Sequence, residues 1–289
     1  MIISGSASQS LAASLAAELD DPLASVVYDR FPDGELLAAA PDIDGTERAV
    51  IVASTTSAEA HIELLQLQDA AVEAGIENVV TVIPYLGYGR QDAAYAPDGT
   101  EQSGYPVSAR AVARAISTGT DRVLTVTPHE TAVCEFFDVP ADPIDAAAHL
   151  AEPLPAGLTD PVFLSPDAGA IDLAESVQAA YGHGIVDHFE KTRLSGSEIE
   201  IAPNDATVAG RDVVIVDDII ATGSTMSQSI AVLNDQDAAR VFVGCVHPVL
   251  VNDARIKLAR AGVEAIYGTD TIERAVSSVS VAPAIADAL

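Results

Sequence analysis

Residues 211–225, RDVVIVDDIIATGST, constrain the fold more than any other stretch of the chain. Val213, Val214, Ile215 and Val216 form a short unbroken β-branched run, the pattern of a strand buried on both faces of a parallel sheet. The run ends in two adjacent carboxylates, Asp217 and Asp218. A turn of small and hydroxylated residues follows, Ala221-Thr222-Gly223-Ser224-Thr225, and then a helix-like segment, 226–233. Such a turn lets the backbone approach a ligand closely and presents N–H groups at a helix start, where an anion is favoured. Two acids above the cradle suit a sugar diol or a Mg²⁺ ion, because they would repel a second phosphate. The plain alternative is a strand-turn-helix whose polar residues merely cap the helix. A cap needs one such residue, whereas Asp217, Asp218, Thr222, Ser224 and Thr225 fall together here.

The rest of the chain repeats the alternation. Strand-like runs at 2–4, 25–29, 49–53, 78–83 and 122–126 are interleaved with helical segments at 9–19, 58–74 and 109–116. Gly75 stops the second of these helices and Ser108 caps the third. Residues 93–105 mix Pro, Gly and polar residues without periodicity and read as a mobile loop. Near 140–155 the composition turns to Ala, Pro and Asp, which marks a domain boundary. Strands at 161–164, 184–189, 240–247 and 263–267 and helices at 171–180 and 253–261 then restart the pattern. Residues 198–201 and 206–208, split by Pro203-Asn204-Asp205, alternate like a protruding hairpin. This order predicts an α/β protein of two open domains, 1–145 and 146–289, with mainly parallel sheets flanked by helices.

Charge sets what a phosphate site must overcome. The chain carries 43 Asp and Glu against 14 Lys and Arg, a formal net charge of −29, and Lys191 and Lys257 are its only lysines. At about 0.1 M salt the Debye length is ~10 Å and such a surface repels itself; near 1 M it shrinks to ~3 Å. That balance suits a salt-accumulating cytosol. It argues against nucleic acid as a partner. No apolar run reaches the roughly 18–20 residues of a membrane span, and no basic-then-apolar leader opens the chain, so the expected location is the cytoplasm. Cys134 and Cys245 offer no disulfide framework and read as buried free thiols.

The turns at the strand ends line up as a set. RFPDGE (30–35), PYLGYGRQD (84–92), PVSAR (106–110), FFDVP (136–140), SPDAG (165–169), KTRLSGSEIEI (191–201) and VDDIIATGST (216–225) occur in one order. That order resembles the ribose-phosphate pyrophosphokinase (PRPP synthetase) family, in its shorter, archaeal-type form, along nearly the whole chain. The family joins two phosphoribosyltransferase-like domains. The resemblance implies a Mg²⁺-dependent transfer of the β,γ-diphosphoryl group of ATP to the 1-hydroxyl of ribose 5-phosphate, giving PRPP and AMP. It implies a ribose-5-phosphate site at Asp217, Asp218, Ala221, Thr222, Gly223, Ser224 and Thr225, and metal-associated residues at His129 and Asp167. Arg90 and Gln91 match ATP-contacting positions. Phe31, Asp33 and Glu35 match a nucleotide pocket contributed by a neighbouring subunit, which implies a homo-oligomer, at least a dimer. Lys191 and Arg193 match the catalytic basic pair. Alternate residues of a strand point to one side, and charge stabilisation by such a contact is often worth ~3–4 kcal/mol. Lys257 matches no motif and reads as a solvated surface lysine.

Three positions depart from the family pattern. Thr127-Pro128-His129 stands where many relatives have Asp-Leu-His, Ala93, Ala94 and Tyr95 replace a Lys-bearing loop, and Ala221 replaces an Asp. These changes bear on metal geometry, ATP affinity and one ribose-phosphate contact. Two other readings accompany the first. A phosphoribosyltransferase that consumes PRPP accounts for 217–225 but not for a second domain, RFPDGE or the Lys191/Arg193 segment. A non-catalytic regulatory paralogue accounts for the departures.

Overall fold

The computed structural model describes residues 1–96, 99–195 and 198–289; the side chains of 191–201 lie outside the description. Two compact units emerge, one of Met1–Asp145 with Thr271–Glu273 and Ser280–Leu289, the other of Ala146–Asp270 with Arg274–Val279. No helix among the described residues is long and apolar enough to cross a membrane.

The first unit runs β1 (Ile2–Ser4), α1 (Gln9–Leu19), β2 (Val27–Arg30), β3 (Leu36–Ala39), β4 (Arg48–Val52), α2 (Ala58–Glu73), β5 (Asn78–Ile83), α3 (Ser108–Ile116), β6 (Arg122–Val126) and β7 (Ala141–Ile144). Five of these strands form a wholly parallel sheet in the order β1-β4-β5-β6-β7. The apolar runs of β4, β5 and β6 are buried almost throughout, as strands covered on both faces must be. Helix faces carrying Leu64, Leu67, Ala71, Ala109, Ala113 and Ile116 close over Ile51, Val79, Ile83 and Val123. β2 and β3 form a separate antiparallel hairpin, and RFPDGE is its turn. Phe31 N–H donates to the Glu35 carbonyl at 2.8 Å, and Gly34 takes the left-handed φ of 96° that the reversal requires.

The second unit runs β8 (Val162–Ser165), α4 (Ile171–Tyr181), β9 (Ile185–Ser195), β10 (Glu198–Pro203), β11 (Asp212–Ile219), α5 (Ser224–Asp235), β12 (Arg240–His247), α6 (Ala254–Arg260), β13 (Ala265–Thr269) and β14 (Ser277–Val279). Its seven-stranded sheet has the order β10-β9-β8-β11-β12-β13-β14, parallel except for β9 against β10. Val213, Val214, Ile215 and Val216 are fully buried at its centre. The amino end of β11 is tied to β12 by a bidentate ion pair, Arg240 to Asp212 at 2.6 and 2.9 Å. Asp212 also accepts from Thr159 N–H at 2.6 Å. The Arg240 guanidinium, acting against burial, holds the Asp212 carboxyl below its usual range.

The structure departs from the sequence reading in four places. The second domain does not run to residue 289: a C-terminal helix, α7 (Ala282–Ala288), belongs to the first unit with residues 271–273. There the Glu273 carboxylate accepts from Ser10 and Leu11 N–H at 2.6 and 3.2 Å and caps α1, which has no side-chain cap of its own. The protruding hairpin pairs β10 with β9, not with 206–208, so residues 191–195 are strand. β7 lies inside the Ala/Pro/Asp stretch read as a boundary; as the edge strand it tolerates Pro143. Residues 93–96 and 99–105, read as part of a mobile loop, fold partly on themselves, with Gln102 N–H on the Ala94 carbonyl and Ala96 N–H on the Thr100 carbonyl, both at 2.8 Å.

Candidate active site

In the second unit the chain leaves β8 toward β9 on one side and later places β11 on the other. That reversal opens a crevice at the carboxyl ends of β8 and β11, the position where open α/β sheets bind ligands. The two strands are paired directly, Val213 with Val162 through Ile215 with Leu164. Residues 165–169 and 217–225 therefore emerge side by side. Asp167 is exposed and starts a short turn, accepting from Gly169 N–H at 3.1 Å. Asp217 and Asp218 close β11 and are half-buried.

The turn of residues 220–223 feeds α5, whose N-cap is Gly223 at φ 70°, ψ 6°. No described side chain caps that helix end. The hydroxyls instead face one another and the surface, Thr222 Oγ1 lying 3.4 Å from Ser224 Oγ. The capping explanation of this polar cluster therefore fails, and the amides at the start of α5 are left for a ligand. Gly223 is needed for its left-handed φ and for space, since a Cβ there would stand 3.3 Å from the Ala254 carbonyl.

Burial raises the pKa of Asp217 well above the usual carboxylate value, and the charges of Asp218 and then Asp167 push it further. Beneath it lies Cys245, fully buried, with Sγ 3.6 Å from the Asp218 carbonyl. Its thiol is pushed well up by burial and by Asp217, so it stays a neutral packing group. Among the described residues no three His, Cys, Asp or Glu side chains form a ready-made metal cluster. Mg²⁺ is commonly held by one or two carboxylates together with water and substrate phosphates. The adjacent Asp217 and Asp218, both oxygen donors, fit a share of that kind.

β9 runs past the end of β8: its pairing with β8 stops at His188 and Ser165, and beyond that point it is paired only with β10. The backbone of Lys191 and Arg193 stands on this extension, opposite Ile201 and Ile199, and β10 runs beside α5. Their side chains lie outside the described residues.

In the first unit Arg90 and Gln91 follow β5 and His129 follows β6, on adjacent strands at the carboxyl edge of the sheet. All three are exposed. The Arg90 loop is fastened from beneath by Thr55. Gly87 N–H donates to Thr55 Oγ1 at 2.8 Å, Thr55 N–H to the Tyr85 carbonyl at 2.9 Å, and Gln91 N–H to the Tyr88 carbonyl at 2.9 Å. A Cβ on Gly87 would fall 1.9 Å from the Thr55 carbonyl oxygen. Thr127 turns the chain into His129 with φ 37°, its N–H on the Ile144 carbonyl at 2.7 Å. Phe31, Asp33 and Glu35 are exposed on the hairpin turn, with Arg30 bonded to the Gly34 carbonyl at 2.7 Å and to Glu59 at 2.9 Å.

Three features here had no sequence signal: the Thr55 fastening, the Cys245 floor, and the segment 250–257 under the cradle. Lys257 also corrects the sequence reading, because its Nζ lies 3.5 Å from the Thr222 carbonyl and 3.0 Å from Asp253.

Comparison with known proteins shows the family of the chain. A family model described as the N-terminal domain of ribose phosphate pyrophosphokinase matches residues 1–119, and one described as a phosphoribosyl transferase domain matches 143–280. A ribose-phosphate pyrophosphokinase of Halobacterium salinarum is 64% identical over 289 residues, covering the whole of both chains. One of Methanosarcina mazei is 47% identical, covering all of this chain and 94% of its own. The crystal structure of phosphoribosylpyrophosphate synthetase from Mycobacterium smegmatis superposes with a TM-score of 0.80 at 26% identity, covering 100% of this chain and 96% of that one. The chain belongs to the ribose-phosphate pyrophosphokinase family.

Proposed function

We infer that the protein is a Mg²⁺-dependent ribose-phosphate diphosphokinase that makes PRPP and AMP from ATP and ribose 5-phosphate. The observation that carries this reading is the uncapped start of α5 beside Asp217 and Asp218 at the β8/β11 crevice. The 5-phosphate takes the amides and hydroxyls of residues 221–225, and Asp217 and Asp218 accept from the ribose hydroxyls. The 1-hydroxyl oxygen then bonds to the β-phosphorus of ATP. The bond from that phosphorus to the α,β-bridging oxygen breaks, AMP leaves with the oxygen, and the hydroxyl proton is released. Arg90 and Gln91 hold the nucleotide. Lys191 and Arg193 stabilise charge on the diphosphoryl group as it moves. When bound, Mg²⁺ would neutralise phosphate charge and orient the diphosphoryl group, with Asp167 and His129 as its protein associates. Phe31, Asp33 and Glu35 of one subunit complete the nucleotide pocket of another in an oligomer of at least two chains. The enzyme works in a salt-rich cytoplasm, where its charge of −29 is screened.

The test is incubation with ATP, ribose 5-phosphate and Mg²⁺ at molar KCl, with AMP and PRPP measured. Formation of both products in equal amounts is the expected result. Turnover of PRPP with a base and no AMP would assign a phosphoribosyltransferase instead. No reaction of either kind would make the protein a regulatory relative.

A further inference from the structure

A backbone cradle that turns its N–H groups toward an anion must turn the intervening carbonyls away, and each of those needs a donor. Here three successive carbonyls are met from one neighbouring segment. Ile220 O accepts from Leu250 N–H at 2.8 Å, Ala221 O from Val251 N–H at 3.0 Å, and Thr222 O from Lys257 Nζ at 3.5 Å. Ala254, at the start of α6, fills the space against Gly223. The supporting segment holds Leu250 and Asn252 at left-handed φ of 45° and 55° to reach this position. The first two donors are main-chain groups that any sequence supplies. The third requires a long cationic side chain, and one of the chain's two lysines provides it.

We propose that Lys257 is a positioning residue for the ribose-5-phosphate cradle, fixing the Thr222 carbonyl so that the amides at the start of α5 face the phosphate. This rests on the reading of residues 221–225 as that cradle. Asp253, one helical turn earlier, aims the ammonium group through a 3.0 Å ion pair. That pair also offsets the charge of Lys257, so its contribution is geometric more than electrostatic. Removing the ammonium leaves the Thr222 carbonyl free to rotate, which disturbs the cradle and leaves the nucleotide contacts of the first unit alone.

The test is calorimetric titration of the full chain with ribose 5-phosphate at molar KCl with Mg²⁺, alongside steady-state kinetics. Lys257→Ala is expected to weaken ribose 5-phosphate binding about tenfold, the weight of one charged hydrogen bond. The KM for ATP and the kcat at saturating ribose 5-phosphate should stay within about threefold of wild type, the signature of lost ground-state positioning. Lys257→Arg, which keeps a donor on a long stem, should recover most of the affinity. Arg260→Ala removes an exposed cation from the same helix and should bind as wild type does. Equal affinity of Lys257→Ala and wild type would overturn the proposal while leaving the cradle intact. Equal losses in Lys257→Ala and Arg260→Ala would overturn it in favour of a general charge effect. Failure of wild type itself to bind ribose 5-phosphate would remove the cradle reading and this inference together.

Discussion

Adding one methyl group at Gly87 tests whether the Arg90 loop is rigidly set. A Cβ at that position lies 1.9 Å from the Thr55 carbonyl oxygen, and Cβ atoms do not approach such an atom closer than 3.0 Å, so something must retreat by about 1.1 Å. The obstacle is backbone and cannot swing aside. The same residue, Thr55, is also bonded to the loop at Gly87 and at Tyr85. Stretching those two bonds costs ~0.5–1.5 kcal/mol each, and overpacking adds ~1–3 kcal/mol. Gly87→Ala should therefore destabilise the protein by about 2–6 kcal/mol, read as a lower urea midpoint at molar KCl. Because a displacement of about 1 Å near a substrate costs up to ~10²-fold, kcat/KM for ATP should fall by roughly that factor. Ribose 5-phosphate binding, which belongs to the other unit, should be nearly unchanged. A Gly87→Ala enzyme with the wild-type urea midpoint and kcat/KM for ATP within about threefold would refute the rigid-loop account.

Further expectations follow from the site and the charge. Lys191→Ala should lower kcat by ~10²–10³-fold with KM values for both substrates nearly unchanged, checked at matched salt against Arg260→Ala. In about 50 mM salt the circular-dichroism signal and the activity should both be lost and should be retained at molar KCl; full activity at low salt would refute the screening argument. Asp217 has a folded-state pKa raised above its ordinary 3.8, so its contribution to stability is present at acid pH and is lost as pH rises above 3.8 through the raised value. Asp217→Asn should therefore make the ligand-free protein more stable than wild type at neutral pH, with the gain vanishing below about pH 4, while ribose 5-phosphate binding fails. Urea midpoints at the two pH values decide it.

The parts of the fold that could be read from sequence were those where burial leaves a pattern. Val213–Val216 announced a strand covered on both faces because no polar residue interrupts it, and the polarity of Asp217 and Asp218 marked its approach to the carboxyl edge of the sheet. The expected strand stopped short, since β11 continues through Ile219 and carries the acids inside the sheet. The hairpin showed the converse. Alternation at 198–201 revealed a strand but not its partner, and the strand from 184 was read as ending at Phe189, whereas β9 continues to Ser195. Pairing is settled by neighbours in space, which β-branched alternation does not encode. β7, with Pro143 and Asp142, has no apolar signal because it is an edge strand. Asp167, the 221–225 turn and the Arg90 turn were legible as strand-end turns, because Gly, Pro and short polar residues interrupt the apolar runs there. Lys257, Thr55 and Cys245 act through contacts with main-chain atoms, and such contacts leave no mark on composition.

The Glu273 cap has a consequence for how the molecule is made. Ser10 and Glu273 are separated by 263 positions. Joining ends so far apart carries a loop-closure entropy of roughly 5 kcal/mol by the logarithmic law, beyond its constant part. Chains normally fold from the amino end as they leave the ribosome. Here α1 emerges early, and the carboxylate that caps it is translated some 260 residues later. The amino-terminal sheet can collapse on its own apolar strands in the interval, but its first helix lacks this cap until Glu273 has been made. The first unit is thus stitched from three separate stretches of chain and the second from two, so neither is whole until the residues beyond 270 have been made.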